Sequence, residues 1–317
     1  LITGIATAYM DSIPLVAITG QVNLEQLGRD VFQEADITGA CHSFTKHSYL
    51  VKSAGELPRV IKEAFHIAAT GRPGPVLIDV PQDVQEQTVE SFSYPERAEI
   101  RGYKPNTSGH PLQIKRAAQA LERAQRPVII CGGGVVSAGA REEMMAFSRK
   151  TGIPAVATMM GLGVFPGQPQ FMGKKNPVYL GMIGRYGRSC ANRAVKEADL
   201  ILLCGARVGD RAIAVPHQIA EQAQVIHIDI DPAEIGKNMR VDVPIVGDIR
   251  QVLAALTEQA PAQCCPQWAQ QALGYRLAAV ERGEDREDRV EPRSFLRELS
   301  RLMEDDAVLT ADPGQGQ

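Results

Sequence analysis

The sequence predicts an α/β protein in which parallel sheets are flanked by helices, and three observations carry that prediction. Short, continuous apolar runs rich in β-branched residues recur along the 317 residues, as in "PLVAITG", "PVLIDVP", "PVIIC", "LILLC" and "VIHIDI". Segments with apolar residues at helical spacing lie between them, and Gly or Pro turns separate the two kinds. Strands that lack polar alternation are buried on both faces, as in a parallel sheet covered by helices on each side. The length also calls for more than one core, because a single core stops growing near ~250–300 residues.

The elements follow in order. "PLVAITG" at 14–20 reads as a buried strand ending in a turn. "AGELPRVIKEAFHIAATG" at 54–71 brings Val60, Ile61, Ala64, Phe65 and Ala68 to one helical face and stops at Gly71. "RPGPVLIDVP" at 72–81 is a turn and a second buried strand. From about 82 to 110 the text is polar and irregular and reads as an interdomain linker. A second block then runs through a helix at 112–124, strand 127–131, "GGGVVSAGA" and a helix to about 150. Strand 155–158 and a long glycine-rich loop to about 188 come next. A helix near 191–197 and strands at 200–207, 225–232 and 243–248 lead to a helix at 249–258. Residues 259–291 read as a linker or a loose helix, and 292–303 as an amphipathic helix leading into "VLTADPGQGQ".

Composition bounds the function. Apolar content of 44%, charged content of 22% and a net charge of -3 describe an ordinary globular protein without the basic face that nucleic acid or a membrane surface requires. No apolar run approaches the ~20 residues that span a bilayer. The opening "LITGIATAYM" has no initiator Met, basic start or cleavage site. It is therefore not read as a signal peptide, and the chain is expected to be cut from something longer at both ends. Six cysteines show no C-x-x-C spacing. Cys131 and Cys204 fall in apolar runs, and the adjacent Cys264 and Cys265 read as a bland pair, which points to a reduced, cytoplasmic setting.

Chemistry is expected at the carboxyl ends of the strands. "GGGVVSAGA" leaves a strand and opens a helix, so its backbone N–H groups suit a phosphate; a plain tight turn is equally open. "CGARVGDR" places Arg207 and Arg211 four apart at a strand end, where guanidiniums suit a diphosphate, the alternative being a solvated pair. "HIDIDP" sets Asp229 and Asp231 where a carboxylate takes a ribose hydroxyl, or where Asp231 simply caps a helix. In "DVFQEAD", Phe32 reads as an apolar wall and Gln33 as a polar contact to substrate, against an ordinary helix start. The scattered histidines have no metal-ligand spacing, so no metal site is read. The absent G-x-G-x-x-G argues against a nicotinamide oxidoreductase.

Read together, "LITGIATAYMDSIPLVAITGQV", "FQEAD", "LPRVIKEAFHIAATGRPGPVLIDVPQDV", "RPVIICGGGVVSAGA", "TGIPAVATMMGLGVFPG", "GARVGDR" and "HIDIDPAEIGKN" resemble, in order and over essentially the whole chain, the large-subunit family of acetolactate synthase, a thiamine-diphosphate-dependent enzyme. The resemblance implies that residues 1–90 are the later part of the pyrimidine-binding domain and 91–107 a linker. It makes 108–258 a Rossmann-like central FAD-type domain, 259–291 a second linker and 292–317 the start of the diphosphate-binding domain. It implies thiamine diphosphate, Mg2+ and FAD as cofactors and 2-keto acids such as pyruvate as substrates. A homodimer or tetramer, with a small regulatory subunit as a further partner, is also implied. The activity is decarboxylation of one 2-keto acid and addition of the product to a second, in branched-chain amino-acid biosynthesis.

By resemblance Phe32 and Gln33 line the active site, while Arg72, Gly132, Gly133, Gly134, Thr158, Arg207, Arg211, Asp229 and Asp248 contact FAD and Gln315 contacts the diphosphate. The family's cofactor-activating glutamate is expected upstream of Leu1 and its Gly-Asp-Gly metal motif downstream of Gln317, so the polypeptide alone is expected to be inactive. Departures fall at cofactor contacts: Arg185 and Tyr186 replace Met-His, Val208 and Gly209 replace Phe-Asp, and Pro313 and Gly316 alter the terminal loop. A related thiamine enzyme without FAD that decarboxylates or cleaves 2-keto acids is the alternative they raise, with a non-catalytic nucleotide-binding module behind it.

Overall fold

Two parallel sheets organise the protein, and both are assembled from the continuous apolar runs. The computed structural model describes residues 1–166, 170–171, 174–175, 178–213, 219, 221–278, 290–304 and 306–310. It divides into two units, Leu1–Leu273 and Gly274–Gln317, and the first holds both of these sheets.

The first sheet has strand order β1-β3-β2, with β1 at Leu15–Gln21, β2 at His47–Leu50 and β3 at Pro75–Pro81. β3 is central, parallel to both neighbours and buried at every position. Its alternate side chains go opposite ways. Val76, Ile78 and Val80 pack with Val60, Ala64, Ile67 and Ala68 of the helix Leu57–Ala69, while Leu77 packs with Ile5, Ala17 and Cys41. A run with one apolar face could not fill both cores. The stretch expected to be a linker docks back on this block: Ile100 and Tyr103 pack against the core, and the Tyr103 hydroxyl donates to the Thr70 carbonyl at 2.8 Å. Lys46 Nζ donates to the carbonyls of Ile67 and Thr70, closing the helix C-terminus with a cation.

The second sheet has order β11-β10-β9-β4-β5-β8, with β4 at Pro127–Cys131, β5 at Ala155–Ala157, β8 at Tyr179–Met182, β9 at Leu200–Cys204, β10 at Gln224–Asp229 and β11 at Val243–Val246. All five pairings are parallel. From β4 the chain moves outward through β5 to β8, then returns to place β9 on the other side of β4. The direction of winding therefore reverses between β4 and β9. Helices Pro111–Arg123, Arg141–Thr151 and Ile249–Gln259 pack together over the sheet.

The structure corrects the sequence expectation in several places. The glycine-rich stretch to about 188 contains β8, at the sheet edge, and a two-residue antiparallel pairing of β6 (Gln170–Phe171) with β7 (Lys174–Lys175). Of the two readings of 259–291, a linker or a loose helix, the structure holds the helical one over Pro266–Ala278, whose Trp268 Nε1 donates to the Pro127 carbonyl at 2.9 Å. In the second unit, helix Pro292–Leu302 is capped by the Glu291 carboxylate, which accepts from the Ser294 N–H at 2.7 Å. Val308 and Leu309 are not in a strand.

Candidate functional site: strand tips at the winding reversal

In an open α/β sheet the crevice where the winding reverses is the natural ligand position, because the loops on either side leave in opposite directions. Here β4 delivers Gly132–Gly134 and β9 delivers 205–211 to that crevice. The two loops touch backbone to backbone. The Gly132 N–H donates to the Cys204 carbonyl at 2.9 Å, and the Gly134 N–H to the Gly205 carbonyl at 2.8 Å. A Cβ on Gly132 would lie 2.4 Å from Ala206 Cα, and one on Gly134 would lie 2.7 Å from Gly205 Cα. Across β4, a Cβ on Gly161 would lie 2.2 Å from the Cys131 carbonyl oxygen, whose hydrogen bond comes from the Thr158 N–H at 2.9 Å. The glycine run read as a phosphate cradle thus has a second physical cause: three neighbouring turns interlock with no room for side chains. Two of its N–H groups serve that packing.

Past Gly205, Ala206 and Val208 point inward while Arg207 and Arg211 stay in solvent. The loop at 184–187 leans on them: Gly184 has room for no Cβ against the Arg211 carbonyl, and the Arg185 N–H donates to that oxygen at 3.2 Å. Arg185, Arg207 and Arg211 have no ion-pair partner among the described residues. They leave three exposed guanidiniums on neighbouring loops, with the exposed Asp210 carboxylate among them, and each guanidinium can give an anion bidentate hydrogen bonds.

At the tip of β10 the charges are buried. Asp229 is 9% exposed, and its Oδ1 accepts the Asp231 N–H at 2.9 Å. Burial is the main reason its carboxyl is pushed up to about 6, with Asp231 and Glu234 adding repulsion and Arg72 opposing. His227 lies on the same strand face, with Nε2 3.9 Å from Asp229 Oδ2 and both ring nitrogens buried without hydrogen bonds. Burial pushes that imidazole down to about 4. Arg72, which the resemblance places against the flavin, crosses from the first sheet to this tip. Its Nη1 lies 2.8 Å from Glu234 Oε1 and 3.1 Å from Asp231 Oδ2. Asp248 ends β11 and caps the following helix, its Oδ1 accepting the N–H groups of Arg250 and Gln251.

Phe32 and Gln33 stand elsewhere, in the loop after β1. The alternative reading, an ordinary helix start, is absent: residues 28–34 form a tight turn with Gly28, Asp30 and Gln33 at φ of 77°, 54° and 64°. The Glu34 carboxylate holds it, accepting the N–H groups of Gly28 and Val31, and the Gly28 bond first of all keeps that carboxyl below its usual range. Phe32 is 89% exposed at the tip. A tether not read from the sequence fixes the loop's far end: buried Asp79 of β3 accepts from Thr19 Oγ1 at 2.7 Å and Gln21 Nε2 at 3.0 Å, and the same Gln21 amide donates to the Ala35 carbonyl at 2.7 Å. The lone carboxylate inside "PVLIDVP" was the available signal. Gln315 lies outside the described residues. The structure thus gathers Gly132–Gly134, Thr158, Arg207, Arg211 and Asp229 on one set of strand tips, joins Arg72 to them through Asp231, and leaves Phe32 and Gln33 on the first sheet.

Comparison with known proteins places this geometry. Residues 114–256 match the family described as thiamine pyrophosphate enzyme, central domain. Over its full length the chain is 41% identical to a probable acetolactate synthase large subunit of Methanocaldococcus jannaschii, covering 54% of that protein. It is 42% identical to the acetolactate synthase large subunit of Corynebacterium glutamicum, covering 50%, and 40% identical to the isozyme 3 large subunit of Escherichia coli, covering 55%. The chain spans about half the length of the curated relatives it matches.

Proposed function

Since the chain belongs to the thiamine pyrophosphate enzymes, through a central domain at residues 114–256 and full-length similarity to acetolactate synthase large subunits, we propose that it serves a thiamine-diphosphate-dependent carboligase of the acetolactate synthase type. The reaction decarboxylates one 2-keto acid, pyruvate, and joins the product to a second 2-keto acid. Thiamine diphosphate, when bound with Mg2+, supplies the carbanion chemistry; the protein supplies binding, orientation and shielding from water.

The observation that carries the reading is the meeting of interlocked turns and exposed arginines at the winding reversal, inside the segment that matches the family. Those residues fit FAD. Arg207 and Arg211 neutralise its diphosphate, half-exposed Thr158 stands at the tip of β5 across β4, and the carboxylates of Asp229 and Asp248 lie at adjoining strand ends for hydroxyl and amino groups of the nucleotide. On the first sheet, Phe32 gives an apolar wall that excludes water and Gln33 donates its amide N–H to a keto-acid carboxylate, both on a loop preset by Glu34 and Asp79. The resemblance also assigns a diphosphate contact to Gln315, which lies outside the described residues. The reading carries with it a homodimer or tetramer, a small regulatory subunit and a cytoplasmic setting. Among the described residues no helix is long and apolar enough to cross a membrane.

The test uses the protein expressed from its whole coding frame. With thiamine diphosphate, Mg2+ and pyruvate it should form acetolactate and carry a yellow flavin band. Free aldehyde as the sole product, with no flavin retained, would overturn the reading.

A further inference from the structure

At the opposite end of the second sheet from these tips, the connector 260–265 runs under the start of β4 into helix Pro266–Ala278. Two features lock it in place. The N–H groups of Gln263 and Cys264 donate to the carbonyls of Lys150 and Thr151 at 2.9 and 3.0 Å, and Trp268 is anchored on Pro127. Cys264 and Cys265 therefore stand at a fixed place with their sulfurs 3.7 Å apart. Cys264 is half-buried, its sulfur donating to the Thr151 carbonyl at 3.4 Å, and Cys265 is 6% exposed.

We propose that Cys264 and Cys265 form a vicinal dithiol site for thiophilic centres that need two protein sulfurs, trivalent organoarsenicals being the chemical class that fits. Geometry comes first. Two bonds of ~2.3 Å, the length for a metal–thiolate bond, that open at a tetrahedral angle bring their sulfurs to roughly 3.8 Å, so the pair accepts a single soft atom almost without moving. Coordination number comes second. Among the described residues no group of three or more His, Cys, Asp or Glu is placed to hold a metal ion, so they do not complete a four-coordinate zinc site around this pair. A monosubstituted arsenic(III) brings its own third substituent and asks the protein for only two.

Reactivity agrees. The hydrogen bond between the sulfurs holds the Cys264 thiol below its ordinary range while pushing Cys265 up, so the exposed member is the nucleophile. The balance with an arsenoxide, R–As=O, is simple. Cys264 and Cys265 each form one As–S bond, the As=O bond is lost, and the two thiol protons leave with its oxygen as water. No electrons change hands. The other close pair, Cys131 and Cys204, faces across the β4–β9 register but is fully buried, with both thiols pushed up by burial.

Phenylarsine oxide tests this on the folded, full-length chain by intact-mass spectrometry and peptide mapping. One adduct per chain should survive excess 2-mercaptoethanol, be removed by 2,3-dimercaptopropanol and map to the peptide holding 264–265. Cys264→Ser and Cys265→Ser should each abolish the monothiol-resistant adduct, with circular dichroism unchanged, and Cys190→Ser should keep it. A resistant adduct that persists in Cys264→Ser, or one that forms only in denaturant, overturns the proposal.

Discussion

His227 and Asp229 sit two residues apart on one face of β10 and titrate in opposite senses. Folded Asp229 keeps its proton up to about 6, whereas the unfolded chain releases it near the ordinary 3.8, so this group's stabilising contribution is full below 3.8 and lost as pH rises through 6. Folded His227 refuses a proton until about 4, whereas the unfolded chain takes one at 6.5, so its contribution is full above 6.5 and lost as pH falls. Between pH 4 and 6 the slopes, each about 1.4 kcal/mol per unit, cancel. Asp229→Asn should expose the histidine slope, with stability falling as pH is lowered from 6 towards 4; His227→Gln should make stability rise over the same window. Urea midpoints at several pH values measure both, and parallel pH profiles for the two variants would refute the compensation. Arg207 and Arg211 belong to the same scale. Exposed, and without an ion pair among the described residues, they contribute little to folding, so Arg207→Ala and Arg211→Ala should leave the urea midpoint unchanged while weakening FAD retention about 10-fold each, read by flavin fluorescence.

At the scale of elements, the interlocked turns make a sharp prediction. Gly134→Ala places a methyl against the backbone of Gly205, which no side-chain rotation relieves, and should cost about 2–4 kcal/mol; Gly139→Ala, at a turn with open space, should cost only the ~1 kcal/mol of its left-handed conformation. Equal losses in chemical denaturation would contradict the interlock. Asp79→Ala removes the acceptor shared by Thr19 and Gln21 and should free the turn at 28–36, seen as faster proteolysis there without loss of the β1–β3 pairing in hydrogen exchange. The elements themselves were legible to different depths. β3, β4, β9 and β10 could be read directly because strands buried on both faces leave unbroken apolar text. Tyr179–Met182 could not, since four edge residues including a glycine carry no such run. Helix Pro266–Ala278 was obscured because only Trp268 and Ala272 are buried, so it shows no apolar stripe. Within the site, the arginines were visible from their position after β9. The reason for the glycines was not, because a residue cleared for a ligand and one cleared for a neighbouring backbone look identical in a sequence.

For the whole molecule, the decisive contact joins residues 162 positions apart and leaves no local trace in the sequence: Arg72 on Glu234, with Asp231 beside it. The guanidinium is mostly buried, and Glu234 retains Lys237 at 3.1 Å when it is removed. Arg72→Met should therefore cost about 2 kcal/mol and split one thermal transition into two, as the sheets lose a buried charge pair that joins them. A single sharp transition in the variant's calorimetric trace would show that other contacts suffice. The backbone interlock at the winding reversal also governs how this surface meets a guest. Turns wedged against one another have little freedom left to surrender, so a nucleotide docking there forgoes most of the usual ordering penalty. Its association should then be rapid and close to rigid-body, and changes to the rim should register chiefly as altered residence time.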